Sequence, residues 1–176
     1  MRKTSDRAGL VEFSSRCGNT CRYCGLTGAI KSTALPAGLD ELLGSVADIY
    51  RAGLRSVVLQ SGEDGLAPEW LAEIIQYIKR NYEMAVTLSV GERSPEDYLL
   101  WKNAGADRYL LRIESSDAFL YESLHSGRRV ETRIRCLEDL RRLGYQTGSG
   151  MMVGVKNQNI IHIAKDIFFS PILILT

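Results

Sequence analysis

Cys17, Cys21 and Cys24 fall within eight residues, in a C-x3-C-x2-C spacing. Three thiolates on one loop can grip three corners of an iron–sulfur cube, although most such cubes take four cysteines. No fourth ligand is close by. Cys136 lies in a helical apolar stripe with Ile134, Leu137 and Leu140, where a small buried core residue is expected. Three ligands leave one iron free to bind something else, as catalytic metal sites keep an open position. The alternative is a structural zinc with His125 as fourth ligand. Zinc sites usually combine C-x2-C with a second ligand pair far along the chain, and that pair is absent. The lone His125 and His162 are expected at the surface or at helix ends.

The elements that must hold this loop follow from the hydrophobic period. Leu10–Ser14 reads as a short strand directly before the cysteines, and a Gly/Thr/Ala/Pro-containing stretch follows them to Pro36. Leu39–Ala52 carries apolar residues at helical spacing, with Gly53 placed to stop it. Strand and helix then alternate. Strands are expected at Ser56–Gln60, Ala85–Val90, Arg108–Ile113, Thr147–Val155 and Ile172–Leu175. Helices are expected at Ala67–Tyr82, from Ser94 to Gly105, and at Ser116–His125, Thr132–Leu143 and Asn159–Phe169. Ser94 can cap its helix, with Pro95 at the first helical position and Asp97 three residues on. The βα rhythm implies a parallel sheet with right-handed crossovers, either doubly wound or an arc of a β/α barrel. In both, chemistry collects at the carboxyl ends of the strands.

Composition sets the class. The 176 residues are 45% apolar and 24% charged, enough for one core domain, 1–176, rather than a disordered chain. A net charge of +1 argues against a nucleic-acid surface. No apolar run approaches the roughly 18 residues a membrane span needs. The start, Met1 to Asp6, is charged and has no apolar region behind it, so the chain is expected in the cytoplasm.

The cysteine spacing, the aromatic Tyr23 before the third cysteine and the position after the first strand together resemble the radical S-adenosylmethionine (radical SAM) superfamily. The resemblance implies a 4Fe-4S cluster held by Cys17, Cys21 and Cys24, whose open iron chelates SAM. One electron then cleaves SAM reductively to a 5′-deoxyadenosyl radical. Residues just after later strands carry the resemblance further. In Gln60-Ser61-Gly62-Glu63-Asp64, Gly62 and Glu63 match the motif that receives the SAM ammonium, which needs acceptors. Glu114 matches the acid that hydrogen-bonds the ribose. Arg112, two residues away, points to the same side of a strand, and the alternative for the pair is a plain salt bridge. Arg133 matches an arginine that clamps the SAM carboxylate, a job suited to a planar fork. The other arginines of its run, Arg128, Arg129, Arg135, Arg141 and Arg142, are expected mostly on a solvated helix face. Gly148 to Gly154 supplies small residues where an adenine edge could approach. Ser89 would face the cavity.

Within the superfamily, Glu12–Ser14, Val58–Asp64, Val86–Arg93 and Gly105–Glu114 are most similar to the biotin synthase-like branch, and there to the HydE-type maturases of the FeFe-hydrogenase cluster. Methylornithine synthase-like and biotin synthase-like enzymes are the alternatives. The resemblance implies a small-molecule or organometallic substrate, an electron donor such as a ferredoxin or flavodoxin, and other hydrogenase maturases as partners. It also implies a longer barrel. Here it leads to the expectation of a partial (β/α) barrel, five βα units plus a sixth terminal strand with an exposed apolar edge.

Overall fold

The computed structural model describes residues 7–26, 38–63 and 65–174. Asp64 and most of the Gly/Thr/Ala/Pro-containing stretch before Pro36 lie outside them. Five strands, β1 (Gly9–Ser14), β2 (Ser56–Ser61), β3 (Ala85–Ser89), β4 (Arg108–Leu110) and β5 (Gln146–Gly148), form one parallel sheet in the order β1-β2-β3-β4-β5. Each strand pairs with its neighbour in sequence. A doubly wound sheet reverses its strand order at a switch point, and this one does not. Of the two architectures the sequence allows, the structure is the arc of a β/α barrel.

The helices are α1 (Leu39–Arg51), α2 (Pro68–Asn81), α3 (Pro95–Ala104), α4 (Ala118–Leu124), α5 (Val130–Arg142) and α6 (Ile160–Ile174). The Ser94 hydroxyl caps α3, accepting the Asp97 N–H at 3.1 Å, and Pro95 opens the helix. Alternation along the strands sorts the two faces of the sheet. Val57 and Leu59 of β2, Val86 and Leu88 of β3 and Tyr109 of β4 are fully buried in one core with the inner faces of α2, α3 and α5. Val58, Gln60, Thr87, Ser89, Arg108 and Leu110 alternate with them and are only half-buried. The second face of the sheet is therefore where polar chemistry can sit.

Three expectations need correction. Ile172–Ile174 belong to α6, not to a sixth strand, and Leu175 lies outside the described residues. A short apolar run satisfies strand and helix patterns equally, and here it continues a helix already under way. The expected apolar edge strand is thus not part of the described sheet. The fifth strand is three residues long rather than nine, because Gly148, Gly150 and Gly154 give it little to pack. Beyond it only Met151 pairs, in a parallel bridge to Glu114. The fourth strand ends at Leu110 rather than Ile113, although the Leu111 and Glu114 amides still donate to the Gly148 and Gly150 carbonyls. Among the described residues, no helix is long and apolar enough to cross a membrane.

An aromatic cluster fixes α3 on the sheet. Trp101 is fully buried, lies nearly parallel to Tyr109 at 6.4 Å, and donates its indole N–H to the Pro68 carbonyl at 2.8 Å. Trp101→Ala should lower the unfolding free energy by about 3–5 kcal/mol, whereas Trp101→Phe, which loses mainly the hydrogen bond, should lose about 1–3 kcal/mol. Urea denaturation followed by circular dichroism measures both. Equal midpoints for the alanine variant and the wild type would rule out this anchoring role.

Candidate active site

The cysteine loop leaves the end of β1 and is tied down at two places. At the first, the Gly62 N–H donates to the Ser14 carbonyl at 3.0 Å, and the Gly18 N–H donates to the Glu63 carbonyl at 2.7 Å. This approach needs glycine at position 62, since a Cβ there would overlap the Arg16 carbonyl oxygen and the Cys17 Cβ. At the second, the loop meets the end of α4. The Arg22 N–H donates to the Leu124 carbonyl at 2.9 Å, and Cys21 and His125 form an isolated antiparallel bridge. The Tyr23 hydroxyl lies 2.8 Å from His125 Nε2.

Between these anchors opens a cavity of about 370 Å³. Its lining includes Cys17, Cys21, Cys24, Tyr23, Gly62, Glu63, Ser89, Arg112, Glu114 and Arg133, whereas Gly148 to Gly154, expected beside an adenine, are not among its lining residues. The lining residues come from the cysteine loop, the ends of β2, β3 and β4, and helix α5. No disulfide joins the three loop thiols. Burial raises the Cys21 pKa, and the neighbouring Cys17, Cys24 and Glu63 raise it further.

Glu114 turns into the cavity from a left-handed backbone, φ 61°, a conformation uncommon for a residue other than glycine. Its carboxylate is buried and pairs with Arg112 at 3.1 Å. Burial raises its pKa, against the lowering effect of Arg112 and Arg133. Asn19 Oδ1 is buried and accepts no hydrogen bond, and Glu114 Oε2 is buried with only the Arg112 ion pair beside it. Such oxygens are poised to accept from a ligand that reaches them.

Arg133 lines the cavity but does not stand alone. Its Nε lies 2.9 Å from Glu92 Oε1 and donates to the Tyr121 hydroxyl at 3.2 Å, while its Nη2 lies 3.6 Å from Glu63 Oε1. Arg128 Nη1 meets both acids, Glu63 at 3.1 Å and Glu92 at 2.8 Å. Burial works to lower the Arg133 pKa, but Tyr121, Glu92 and Glu63 raise it more, so it stays a cation. Glu63 reaches this group by packing on Gly91 (φ 77°), where a Cβ would overlap its side chain. Two carboxylates and two guanidinium groups thus form a neutral quartet.

Several of these residues were missed or misread in the sequence. Arg128 belongs to the quartet rather than to a solvated face, whereas Arg129, Arg135 and Arg142 are exposed as expected. Gly91 and Glu92 lie just beyond β3, where the strand-end rule would place chemistry, but the sequence did not single them out. His125 is a helix end, as one expectation had it, but it is fully buried and not at the surface. Burial lowers its pKa and keeps the ring neutral. Both of its ring nitrogens are engaged within the protein, one by Tyr23 and one by the Tyr121 carbonyl at 3.0 Å, which leaves none for a zinc ion.

The chain belongs to the radical SAM superfamily, whose family model matches residues 11–169. It is 40% identical over 162 residues to the FeFe-hydrogenase maturase subunit HydE of Thermotoga maritima, a match covering 91% of this chain and 46% of that protein. It is 25% identical over 150 residues to the 3-methylornithine synthase of Methanosarcina barkeri, covering 84% of this chain and 43% of that one. The crystal structure of methylornithine synthase (PylB) superposes with a TM-score of 0.85 at 23% identity, over 92% of this chain and 49% of that chain. The chain therefore spans about half the length of the curated relatives it matches. The superfamily is one of enzymes, and membership implies a 4Fe-4S cluster and SAM.

The approach at Gly62 gives a direct test. Gly62→Ala should destabilise the chain by about 1–3 kcal/mol, because backbone atoms must move to admit the methyl group. Gly44→Ala, on an exposed turn of α1 with open space around it, should stabilise by about 0.5–1 kcal/mol. Thermal unfolding of the two variants side by side measures the contrast, and a neutral Gly62→Ala would show that the loop is not held this way.

Proposed function

We propose that this chain carries the cluster and SAM site of a HydE-type radical SAM enzyme, with Cys17, Cys21 and Cys24 holding a 4Fe-4S cluster. The observation that carries the reading is the single cavity on which the three thiols and the SAM-motif residues from the ends of β2 and β4 and from α5 converge. The residues fit the pair of ligands. The three thiols line the cavity together, a buried acceptor without a hydrogen bond waits at Asn19, and the Glu114 carboxylate is held there by Arg112. Held by Cys17, Cys21 and Cys24, such a cluster would supply one-electron reductive chemistry to bound SAM.

The chain's own residues bind and orient. The thiols must lose their protons to hold iron, and the raised Cys21 pKa sets loading against a proton equilibrium. Glu114 accepts from the ribose hydroxyls, with Arg112 holding its charge. Arg133 offers its guanidinium to the SAM carboxylate from within the quartet. Gly62 gives the close approach, and Glu63 with the strand-end carbonyls accepts from the ammonium. A carboxylate has about four acceptor positions, so pairing with arginines leaves Glu63 capacity for this. Tyr23 flanks the ligand, and Ser89 faces the cavity from β3, nearest the substrate side.

The identity to HydE supports a role in FeFe-hydrogenase cluster maturation, on a small-molecule or organometallic substrate, in the cytoplasm. It also supports a ferredoxin or flavodoxin as electron donor, and other maturases as partners. The match to 3-methylornithine synthase supports the same cofactor site with a different substrate.

Anaerobic reconstitution should give about four irons per chain. Cys17→Ala, Cys21→Ala and Cys24→Ala should each lose the cluster, and Cys136→Ala should keep it. The reverse pattern would refute the ligand set. Glu114→Ala should retain the cluster but bind SAM roughly ten- to a hundredfold more weakly, the worth of a charged hydrogen bond. Titrating SAM against the cluster's spectrum measures this, and unchanged affinity would remove Glu114 from the ribose site.

A further inference from the structure

His125 closes α4, and its ring is the most enclosed polar group near the cysteine loop. It stacks on Tyr121, ring centroids 4.1 Å apart and 20° from parallel, and meets Tyr23 edge-on at 5.3 Å. Its Nδ1 lies 3.0 Å from the Tyr121 carbonyl. A carbonyl only accepts, which puts the imidazole proton on Nδ1 and leaves Nε2 to accept from the Tyr23 hydroxyl at 2.8 Å. The ring is thus fixed in position and tautomer by the helix it ends, and it presents one acceptor to the loop. Tyr121 is itself anchored through its hydroxyl to Arg133 and Glu92. A continuous set of contacts runs from the charged quartet through Tyr121 and His125 to Tyr23.

The opposite tie, at Gly62, holds the Cys17 end of the loop. The Cys21–Cys24 end lies against the end of α4, and the Tyr23 hydroxyl also bonds to Glu114. Tyr23, more than a third exposed, stands between two of the three cysteines.

We propose that His125 is a positioning residue for the cysteine loop: its Nε2 captures the Tyr23 hydroxyl and, with the Cys21–His125 bridge, latches the Cys21–Cys24 end onto α4. The purpose of the latch rests on the cluster reading above; its existence does not. Without it, the second and third thiols lose their fixed spacing while the helices and sheet stay folded.

The test uses the full chain and the variants His125→Phe, Tyr23→Phe, their double variant and His125→Gln, whose amide oxygen can still accept from Tyr23. In the apo-protein, tryptic cleavage after Arg22 should rise about fivefold in His125→Phe and in Tyr23→Phe, the worth of one hydrogen bond. The double variant should rise no further than either single one. His125→Gln should restore most of the protection, and cleavage after Arg51, at the far end of α1, should not change. In the reconstituted protein, the same variants should lose iron to a chelator about fivefold faster, in the same order. Wild-type cleavage rates in both single variants, or additive effects in the double variant, would overturn the latch. Should His125→Phe fail to fold, as shown by lost circular dichroism, Tyr23→Phe and His125→Gln decide on their own. A wild type that takes up no iron would sink the cluster reading, and the cleavage arm would still decide the latch.

Discussion

The site depends on one close approach, that of the end of β2 to the cysteine loop. Gly62 has no side chain, and its space is filled by the Arg16 carbonyl and Cys17 Cβ. That contact brings Gly18 within 2.7 Å of the Glu63 carbonyl. It also sets where Glu63 begins its reach across Gly91 toward α5. A methyl group at position 62 would push on the cysteine loop and on the charged quartet together, because both start from the same two residues.

The quartet shows how a small parallel arc tolerates charge beside a cavity. A buried ion pair gains little over its desolvation cost, and an unpaired one costs several kcal/mol. Here each acid meets both arginines, so no single broken contact leaves a bare charge. Arg133, the most enclosed of the four, comes from α5, Glu63 from the end of β2 and Glu92 from just after β3. The network therefore fastens α5 over the strand ends, and Tyr121 extends it to α4. Polar residues here serve as the connection between layers that apolar packing serves on the opposite face of the sheet, where Trp101 and Tyr109 meet.

Much of this was legible in the sequence, for identifiable reasons. The strands on the buried face announce themselves by alternation, Val57 and Leu59 or Val86 and Leu88, and α1 and α2 by apolar spacing. The cavity residues were found because parallel α/β folds put chemistry after each strand, so a polar residue at a strand end is informative even without its partners. What failed has physical causes too. Ile172–Ile174 carries no period that separates strand from helix. Gly148 to Gly154 has too few side chains to sustain a ladder. Arg128 was lost in a run of arginines whose spacing says nothing about which one meets two carboxylates. His125 was misjudged because a lone histidine in sequence does not reveal that a helix end, a carbonyl and a tyrosine enclose it.

The two ends of the cysteine loop are held by different physics, and the difference bears on its behaviour. The Cys17 end is held by backbone against backbone, where no side chain can adjust and no proton is exchanged. The Cys21–Cys24 end is held by a side-chain hydrogen bond and a short bridge to a seven-residue helix. Local opening follows the weakest tether, and at this end the tether that a side-chain change can remove is the bond of the partly exposed Tyr23, beside the backbone bond from Arg22 to Leu124. The Gly62 end fixes the register of the first thiol by backbone alone, and the α4 end holds the other two through the Tyr23–His125 pair as well.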